Sequence, residues 1–395
     1  MTFTLSPTKA VQAIKPSYIR EILAATHQAG MISLAGGLPN ESAFPMEIIE
    51  QSMQEIKSDR TIFQYGSTQG YPPLLNYVRE QYVVREQDDA MIGTGSQQCL
   101  DLIARGFIAP GDHIVMEAPS YLGALQIFEL AQANIHSIGE NESLTGPDLT
   151  QLENTFKQND VKFFYAVPDF HNPTGICWSL EVRKAVASLC KQYEVFFIED
   201  VPYRDLRFKN EPIAPVSDFY ENCFVLRSFS KIATPGLRLG SVIGNKTLIN
   251  TLVKIKQTSD LHSSIPMQAL LLKLLTHENF PKHIENIKQK YQTHHDAMLN
   301  AINEHLSEYA EAKSVDGGMF LWVALKHVKA ADVETVARTL LKANVAVVPS
   351  NVFYPSDFAL EDQQVGFRLN FTHASVEKIE QAIGIIKVEL AKLAA

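Results

Sequence analysis

The segment from Ser228 to Gly240, Ser228-Phe229-Ser230-Lys231-Ile232-Ala233-Thr234-Pro235-Gly236-Leu237-Arg238-Leu239-Gly240, brings two serine hydroxyls, a lysine and an arginine into one short connection. It is flanked by two apolar runs, Cys223-Phe224-Val225-Leu226 and Leu239-Gly240-Ser241-Val242-Ile243. A lysine on a loop is usually only a solvated charge. Between two buried strands it loses hydration, its pKa falls, and the neutral amine becomes a nucleophile toward carbonyls, so the chemistry offered here is Schiff-base formation.

Other chemistry-bearing residues stand just after apolar runs. Gly95-Ser96-Gln97-Gln98 follows Ile92-Gly93-Thr94 and opens a helix, whose free backbone N–H groups suit a phosphate. Many such turns bind nothing, but Ser228 and Arg238 supply a hydroxyl and a guanidinium fit for the same anion. Asn172 lies in the proline turn Pro168-Asp169-Phe170-His171-Asn172-Pro173-Thr174-Gly175, and Glu199-Asp200-Val201-Pro202-Tyr203 ends a strongly apolar run with two carboxylates. Taken one at a time, a turn initiator and a buried cap explain these equally well. Taken together, a phosphate cradle, a carboxylate, a nucleophilic lysine and hydrogen-bonding groups for a ring hydroxyl are what pyridoxal phosphate requires.

The elements that must position these residues follow from periodicity. Ala90–Thr94, His113–Glu117, Val161–Ala166, Val195–Glu199, Cys223–Leu226 and Leu239–Ile243 read as short strands. The intervening stretches Leu74–Val84, Gln97–Phe107 and Tyr121–Ala131 read as helices. That alternation predicts a largely parallel sheet with helices on both faces, in which ligands bind beyond the carboxyl ends of the strands. Pro16–Thr26, with Ser17 as N-cap, reads as a short helix, and Ile32-Ser33-Leu34 as a strand running into Gly36-Gly37. A polar, helix-compatible stretch from Phe280 to about Leu306 leads to a smaller α+β region with strands at 318–323, 345–349 and 366–371. Its last helix, capped by Ser375, carries Val376, Ile379, Ile383, Ile386, Leu390 and Leu393 on one face expected to be buried.

At 395 residues the chain exceeds one simple core, so two domains or one large domain with an appendage are expected. A formal charge of −9 with no basic run argues against nucleic acid as a partner. No apolar segment approaches membrane-spanning length and the first residues lack a signal-peptide pattern, so a cytoplasmic protein is expected. Cys99, Cys177, Cys190 and Cys223 form no Cys-x-x-Cys pair and read as core residues rather than a disulfide or zinc framework. The adjacent His294 and His295 have no acidic partner at metal-ligand spacing and read as surface residues, so no metal is expected.

Ser-x-Ser-Lys followed by Pro-Gly-x-Arg-x-Gly, with Asn-Pro-Thr-Gly and Asp-x-x-Tyr upstream in that order, resembles the fold-type-I pyridoxal-phosphate aminotransferases of class I/II. The resemblance runs from about Pro16 to the C-terminus. Ile19-Arg20-Glu21-Ile22-Leu23, Ala35-Gly36-Gly37-Leu38-Pro39, Gln64-Tyr65 and Thr94-Gly95-Ser96-Gln97-Gln98 are most similar to the 2-aminoadipate and aromatic, kynurenine-type, subgroup. It implies an α/β fold: a large domain with a mostly parallel seven-stranded sheet sandwiched by helices, plus a smaller α+β domain. The corresponding boundaries are 1–50 for an N-terminal arm and part of the small domain, 51–285 for the large domain and 286–395 for the rest of the small one. It also implies transfer of an amino group between an L-amino acid, 2-aminoadipate-like, aromatic or branched, and a 2-oxo acid such as 2-oxoglutarate by a ping-pong route, in a homodimer with shared sites.

The resemblance gives each residue a role. Lys231 holds pyridoxal 5′-phosphate as a Schiff base and, once displaced by substrate amine, moves a proton to and from the substrate Cα. Asp200 pairs with the pyridine nitrogen, Asn172 and Tyr203 bond the ring oxygen, and Tyr121 stacks on the ring. Gly95, Ser96, Gln97, Ser228, Ser230 and Arg238 hold the phosphate, with Tyr65 arriving from a second subunit. Arg368 clamps the substrate α-carboxylate, where Asn172 also contributes. Arg20 matches the arginine that meets an acidic side chain, and Gly36 and Gly37 let the N-terminal segment close over substrate. Ser350-Asn351 stands where relatives commonly have glycine and His171 where glutamine is frequent, two departures expected to border the substrate pocket.

Two other readings share these motifs. A β-lyase or a cyclopropane-forming synthase uses the same early chemistry on this fold. Effector-sensing domains of winged-helix transcription regulators are also similar, but they carry a DNA-binding domain ahead of the shared part, and only about 15 residues precede the match here, so this reading is not expected.

Overall fold

A computed structural model of the chain describes residues 5–14, 22, 30–355 and 358–394. Thirteen strands are assigned among them: β1 Ile32–Ser33, β2 Asp88–Gly93, β3 His113–Glu117, β4 Asn134–Ile138, β5 Val161–Ala166, β6 Phe196–Asp200, β7 Cys223–Ser228, β8 Gly240–Asn245, β9 Ala310–Ala312, β10 Phe320–Leu325, β11 Val345–Ala346, β12 Val348–Pro349 and β13 Gly366–Asn370. Seven form one sheet in the order β2-β8-β7-β6-β5-β3-β4. β4, β3, β5, β6 and β7 run parallel, and β8 is antiparallel to both its neighbours.

The pleat explains why these strands read as near-continuous apolar runs. Ile114, Met116, Phe163, Tyr165, Ile198, Phe224 and Leu226 enter one buried cluster, while Val115, Phe164, Ala166, Phe197 and Cys223 enter another. Alternate residues therefore fill a core on each face, which only a sheet covered on both sides can do. The edge strand β4 escaped the sequence reading because Asn134-Ile135-His136-Ser137-Ile138 is half polar, as a strand with one solvated side is free to be.

A second, antiparallel sheet has the order β12-β13-β10-β9, and β1 pairs in parallel with β11. The N-terminal segment is thereby tied to the C-terminal region: Leu34 N donates to Ala346 O at 2.9 Å and Asn370 N to Leu34 O at 2.7 Å. The stretch read as one long helix is one, Phe280–His305. His294 and His295, expected at the surface, are instead buried on it. Each found a local partner: His294 Nδ1 lies 3.1 Å from Phe371 O, and His295 Nε2 accepts from Val315 N at 3.2 Å. The final helix, Val376–Ala394, buries Ile379, Ile383, Ile386 and Leu390 as expected, but Leu393 in its last turn is 55% exposed. Cys99, Cys190 and Cys223 are buried and Cys177 half-buried, all as free thiols. The helix expected over Pro16–Thr26 lies outside the described residues apart from Ile22, which is buried.

Buried charge fixes the turn after β5. Asp169 accepts from Arg183 Nη2 and from Arg204 Nε, both at 2.7 Å, and Arg183 is fully buried. Burial alone pushes the Asp169 carboxyl up, but the two guanidinium groups outweigh it and bring it down to about 2. Losing Arg183 leaves Asp169 with Arg204 as its remaining close partner, so the cost falls at the low end of the about 3–5 kcal/mol for breaking a buried charge pair. Arg183→Met should therefore lower the urea midpoint of unfolding by that order of stability. In the native chain the Asp169 contribution is complete above the unfolded-state value of about 3.8 and is lost as pH falls through about 2, so the variant and the native protein should converge in stability in that acid window.

Candidate active site

The carboxyl ends of the parallel strands meet the antiparallel sheet at a cavity of about 350 Å³. The turn after β7 is a single 3-10 turn, Phe229–Lys231, closed by Ser230 N donating to Ser228 Oγ at 3.3 Å. It turns Lys231 into the cavity, where its Nζ donates to Gly37 O at 2.8 Å. Burial, followed by the charges of Arg368 and Arg238, pulls the Lys231 amine down to about 8. These surroundings favour the neutral, nucleophilic form of the amine.

Asp200 ends β6 and is buried. Its Oδ2 accepts from Tyr165 Oη at 2.9 Å, while Oδ1 has no hydrogen-bond partner. Burial raises its carboxyl to about 7, Tyr165 acting in the opposite direction. A cation at Oδ1 would favour the carboxylate and reverse that shift. Its neighbour Glu199 has a different fate, bonded to Arg204 Nη2 and to the backbone N–H groups of Val216 and Ser217, so of the acidic pair only Asp200 keeps a free oxygen for the cavity.

Asn172 sits between two other site residues. Its Nδ2 donates to Tyr203 Oη at 3.3 Å, and its Oδ1 accepts from Arg368 Nη1 at 2.9 Å. Arg368 comes from β13, its guanidinium 4.4 Å from the Phe320 ring centroid and 5.2 Å from that of Phe353, with Nη2 donating to Ala35 O and Nε unpartnered. Burial lowers its pKa to about 10, with Tyr203 and Tyr121 opposing the fall. A buried guanidinium with no carboxylate partner among the described residues is an open receptor for one.

The fourth corner is the turn into the helix Ser96–Phe107. Gly95 caps it with φ 85°, and a Cβ there would stand 3.0 Å from Arg238 Nη2, so glycine is required both by conformation and by the guanidinium above it. Arg238 itself adopts the left-handed conformation at φ 53°, uncommon outside glycine, after the Pro235–Leu237 turn. Gly240 is equally constrained, since a Cβ would meet Ser96 N at 2.5 Å. Gln97 lies beside them, its Oε1 accepting from Tyr121 Oη at 2.9 Å.

Gly37, Gly95, Ser96, Gln97, Tyr121, Asn172, Asp200, Tyr203, Ser228, Ser230, Lys231, Arg238 and Arg368, singled out from sequence, all line this one cavity. Tyr65 does not: it is 80% exposed and packs edge-on against His262 at 5.9 Å. Arg20 lies outside the described residues. The two departures from the family pattern, expected at the pocket border, do not line the cavity. His171 is buried behind the turn, with Nδ1 2.9 Å from Thr174 Oγ1 and Nε2 3.6 Å from Glu117. Ser350 Oγ accepts from Gly366 N, and Asn351 Nδ2 donates to Glu334 at 3.1 Å. Tyr165 was missed; its only signal was a hydroxyl inside the apolar run Val161-Lys162-Phe163-Phe164-Tyr165-Ala166, where an unpartnered phenol would be costly.

Known proteins resemble this chain in sequence and fold. The family model described as aminotransferase class I and II matches residues 30–386. The aromatic-amino-acid aminotransferase 1 of Thermococcus litoralis is 37% identical, covering 94% of this chain and 90% of its own length. The 2-aminoadipate transaminase of Thermus thermophilus is 34% identical over 88% of this chain and 87% of its own. Among solved structures, the Pyrococcus horikoshii kynurenine aminotransferase, crystallised in complex with PMP, superposes with a TM-score of 0.91 at 32% identity, over 98% of this chain and 97% of that one. With a matched region that spans the lysine turn, the anion turn and the buried arginine alike, the chain belongs to the class I and II aminotransferases.

Proposed function

We propose that the chain transfers an amino group from an aromatic or 2-aminoadipate-like L-amino acid to a 2-oxo acid such as 2-oxoglutarate, with pyridoxal phosphate held in the cavity around Lys231. The observation that carries this reading is the convergence of an activated amine, a free carboxylate oxygen and two cationic receptors on one cavity. The residues fit the cofactor. Gly95, the N-terminus of the helix at Ser96 and Arg238 make a cradle that a single Cβ would fill, and Asp200 Oδ1 is a buried acceptor awaiting a donor.

Pyridoxal phosphate, when bound, supplies the electron sink that makes a substrate Cα–H acidic. Lys231 would hold the cofactor through Nζ, and its neutral amine would serve as the base that takes the substrate Cα proton and returns it. Its lowered pKa keeps a large neutral fraction near pH 8. Asp200, fixed by Tyr165, would hold a proton on the cofactor's ring nitrogen. Asn172 orients Tyr203 on one side and Arg368 on the other, so that the ring-oxygen site and the carboxylate site share one hinge point. Arg368, sandwiched by Phe320 and Phe353, takes the α-carboxylate as a two-point clamp that fixes Cα relative to Lys231. We further propose a homodimer in which Tyr65, exposed on its own subunit, completes the phosphate site of a second copy.

A screen of amino donors with 2-oxoglutarate, read by glutamate formation, should give its highest kcat/KM with aromatic or 2-aminoadipate-like donors; no glutamate from any donor after reconstitution with pyridoxal phosphate would overturn the reading. The rate of cofactor capture should climb as pH approaches about 8 and level off above it, following the neutral fraction of Lys231; a flat profile from pH 6 to 9 would show that its amine is not the nucleophile. Arg368→Gln should lower kcat/KM by about two orders of magnitude or more while leaving the visible absorbance of bound cofactor intact, in line with loss of a charge-assisted bidentate contact worth about 3 kcal/mol.

A further inference from the structure

Lys256 is a lysine that the site chemistry leaves unexplained. It lies on the helix Lys246–Ser259 and is completely buried, where an aliphatic residue would pack at no electrostatic cost. Its Nζ donates to Asp260 Oδ1 at 2.7 Å and Oδ2 at 2.8 Å, and to Gln98 Oε1 at 3.1 Å. Gln98 is the third residue of the helix that begins at Ser96. The same Oε1 accepts from Thr94 N at 2.7 Å, and Gln98 Nε2 donates to Asp260 Oδ2 at 2.7 Å. Thr94 Oγ1 completes the set, 3.3 Å from Asp260 Oδ2 and 2.9 Å from the buried Ser263 Oγ. Gln98 and Thr94 thus bracket Gly95 and Ser96, the backbone of the anion turn, and the network fastens both sides of it to one charge pair.

We infer that Lys256 is a positioning residue for phosphate: through Gln98 it fixes the Thr94–Gln98 turn, and by pairing with Asp260 it keeps a carboxylate from repelling an anion bound at that turn. The inference rests on the proposed pyridoxal-phosphate site. Lys256 does not line the cavity, so its effect passes through the turn and is directed at the phosphate rather than at the ring or the amine. Loss of Lys256 leaves the Asp260 carboxylate without its cation beside Thr94 and removes one of the three bonds that hold Gln98, and both changes weaken an anion site without altering Lys231 or Asp200.

The test titrates the full-length chain, native and Lys256→Met, with pyridoxal 5′-phosphate and separately with pyridoxal, reading visible absorbance. Affinity for the phosphorylated form should fall by about tenfold or more while that for pyridoxal stays within about twofold, the scale typical of outer-shell positioning groups. Equal losses for both compounds, or no loss for either, would overturn the inference. Should Lys256→Met fail to fold, the double variant Lys256→Met/Asp260→Asn, which buries no unpaired charge, should show the same phosphate-selective loss, smaller because the repulsion is gone. Inorganic phosphate provides an arm that does not depend on the cofactor: it should raise the Tm of the native chain and raise that of the variant less, and equal shifts would again count against the role. If the native chain bound inorganic phosphate but not pyridoxal phosphate, the functional reading would fail while the role of Lys256 stood.

Discussion

The structure depends on gathering three cations and one carboxylate around the same small space. Lys231, Arg238 and Arg368 line with Asp200 a cavity of about 350 Å³, Arg368 and Asp200 buried, Lys231 half-buried and Arg238 exposed, an excess of positive charge that suits the reception of an anion. Burial lowers Lys231 and Arg368 and raises Asp200, each toward its neutral form. A dianionic phosphate, a substrate carboxylate and a protonated ring nitrogen each relieve one of these costs. The site's electrostatics are thus complementary to a particular set of charges rather than to a shape alone.

Everything else in the fold can be read as holding those groups at fixed mutual distance. The parallel strands deliver Asp200 and the lysine turn from adjacent edges, since β6 and β7 are neighbours with Asp200 opposite Leu226. The antiparallel sheet delivers Arg368 from the other side, and the segment Leu34–Leu38 is fastened over the cavity by Arg368 through Ala35 O, by Lys231 through Gly37 O and by Thr372 Oγ1 through Leu38 O. Asn172 bridges the two sheets chemically, bonded to Tyr203 on one side and Arg368 on the other. A site assembled this way is sensitive to any shift of one sheet against the other, because one amide carries both registers.

Much of the site was legible in sequence because it sits at strand ends, where a polar residue after an apolar run stands out. Lys231, Asp200, Asn172 and the Gly95 turn were all visible in that way. Tyr165 was not, because a tyrosine inside an apolar strand looks like packing until its hydroxyl is seen on Asp200. Lys256 and Gln98 were hidden for a related reason: a charged or amide residue on a helix reads as solvated surface, and only the tertiary contact shows it buried. The same blindness produced the errors at His294 and His295, where polarity was taken for exposure. His171 shows the converse, a residue next to Asn172 in sequence whose ring packs behind the turn, away from the chemistry.

The most direct test of the account is to reconstitute the full-length chain with pyridoxal phosphate, reduce it with borohydride and map the labelled peptide by mass spectrometry. The account requires a single stable adduct on Lys231. A label on another lysine, or none, would contradict it.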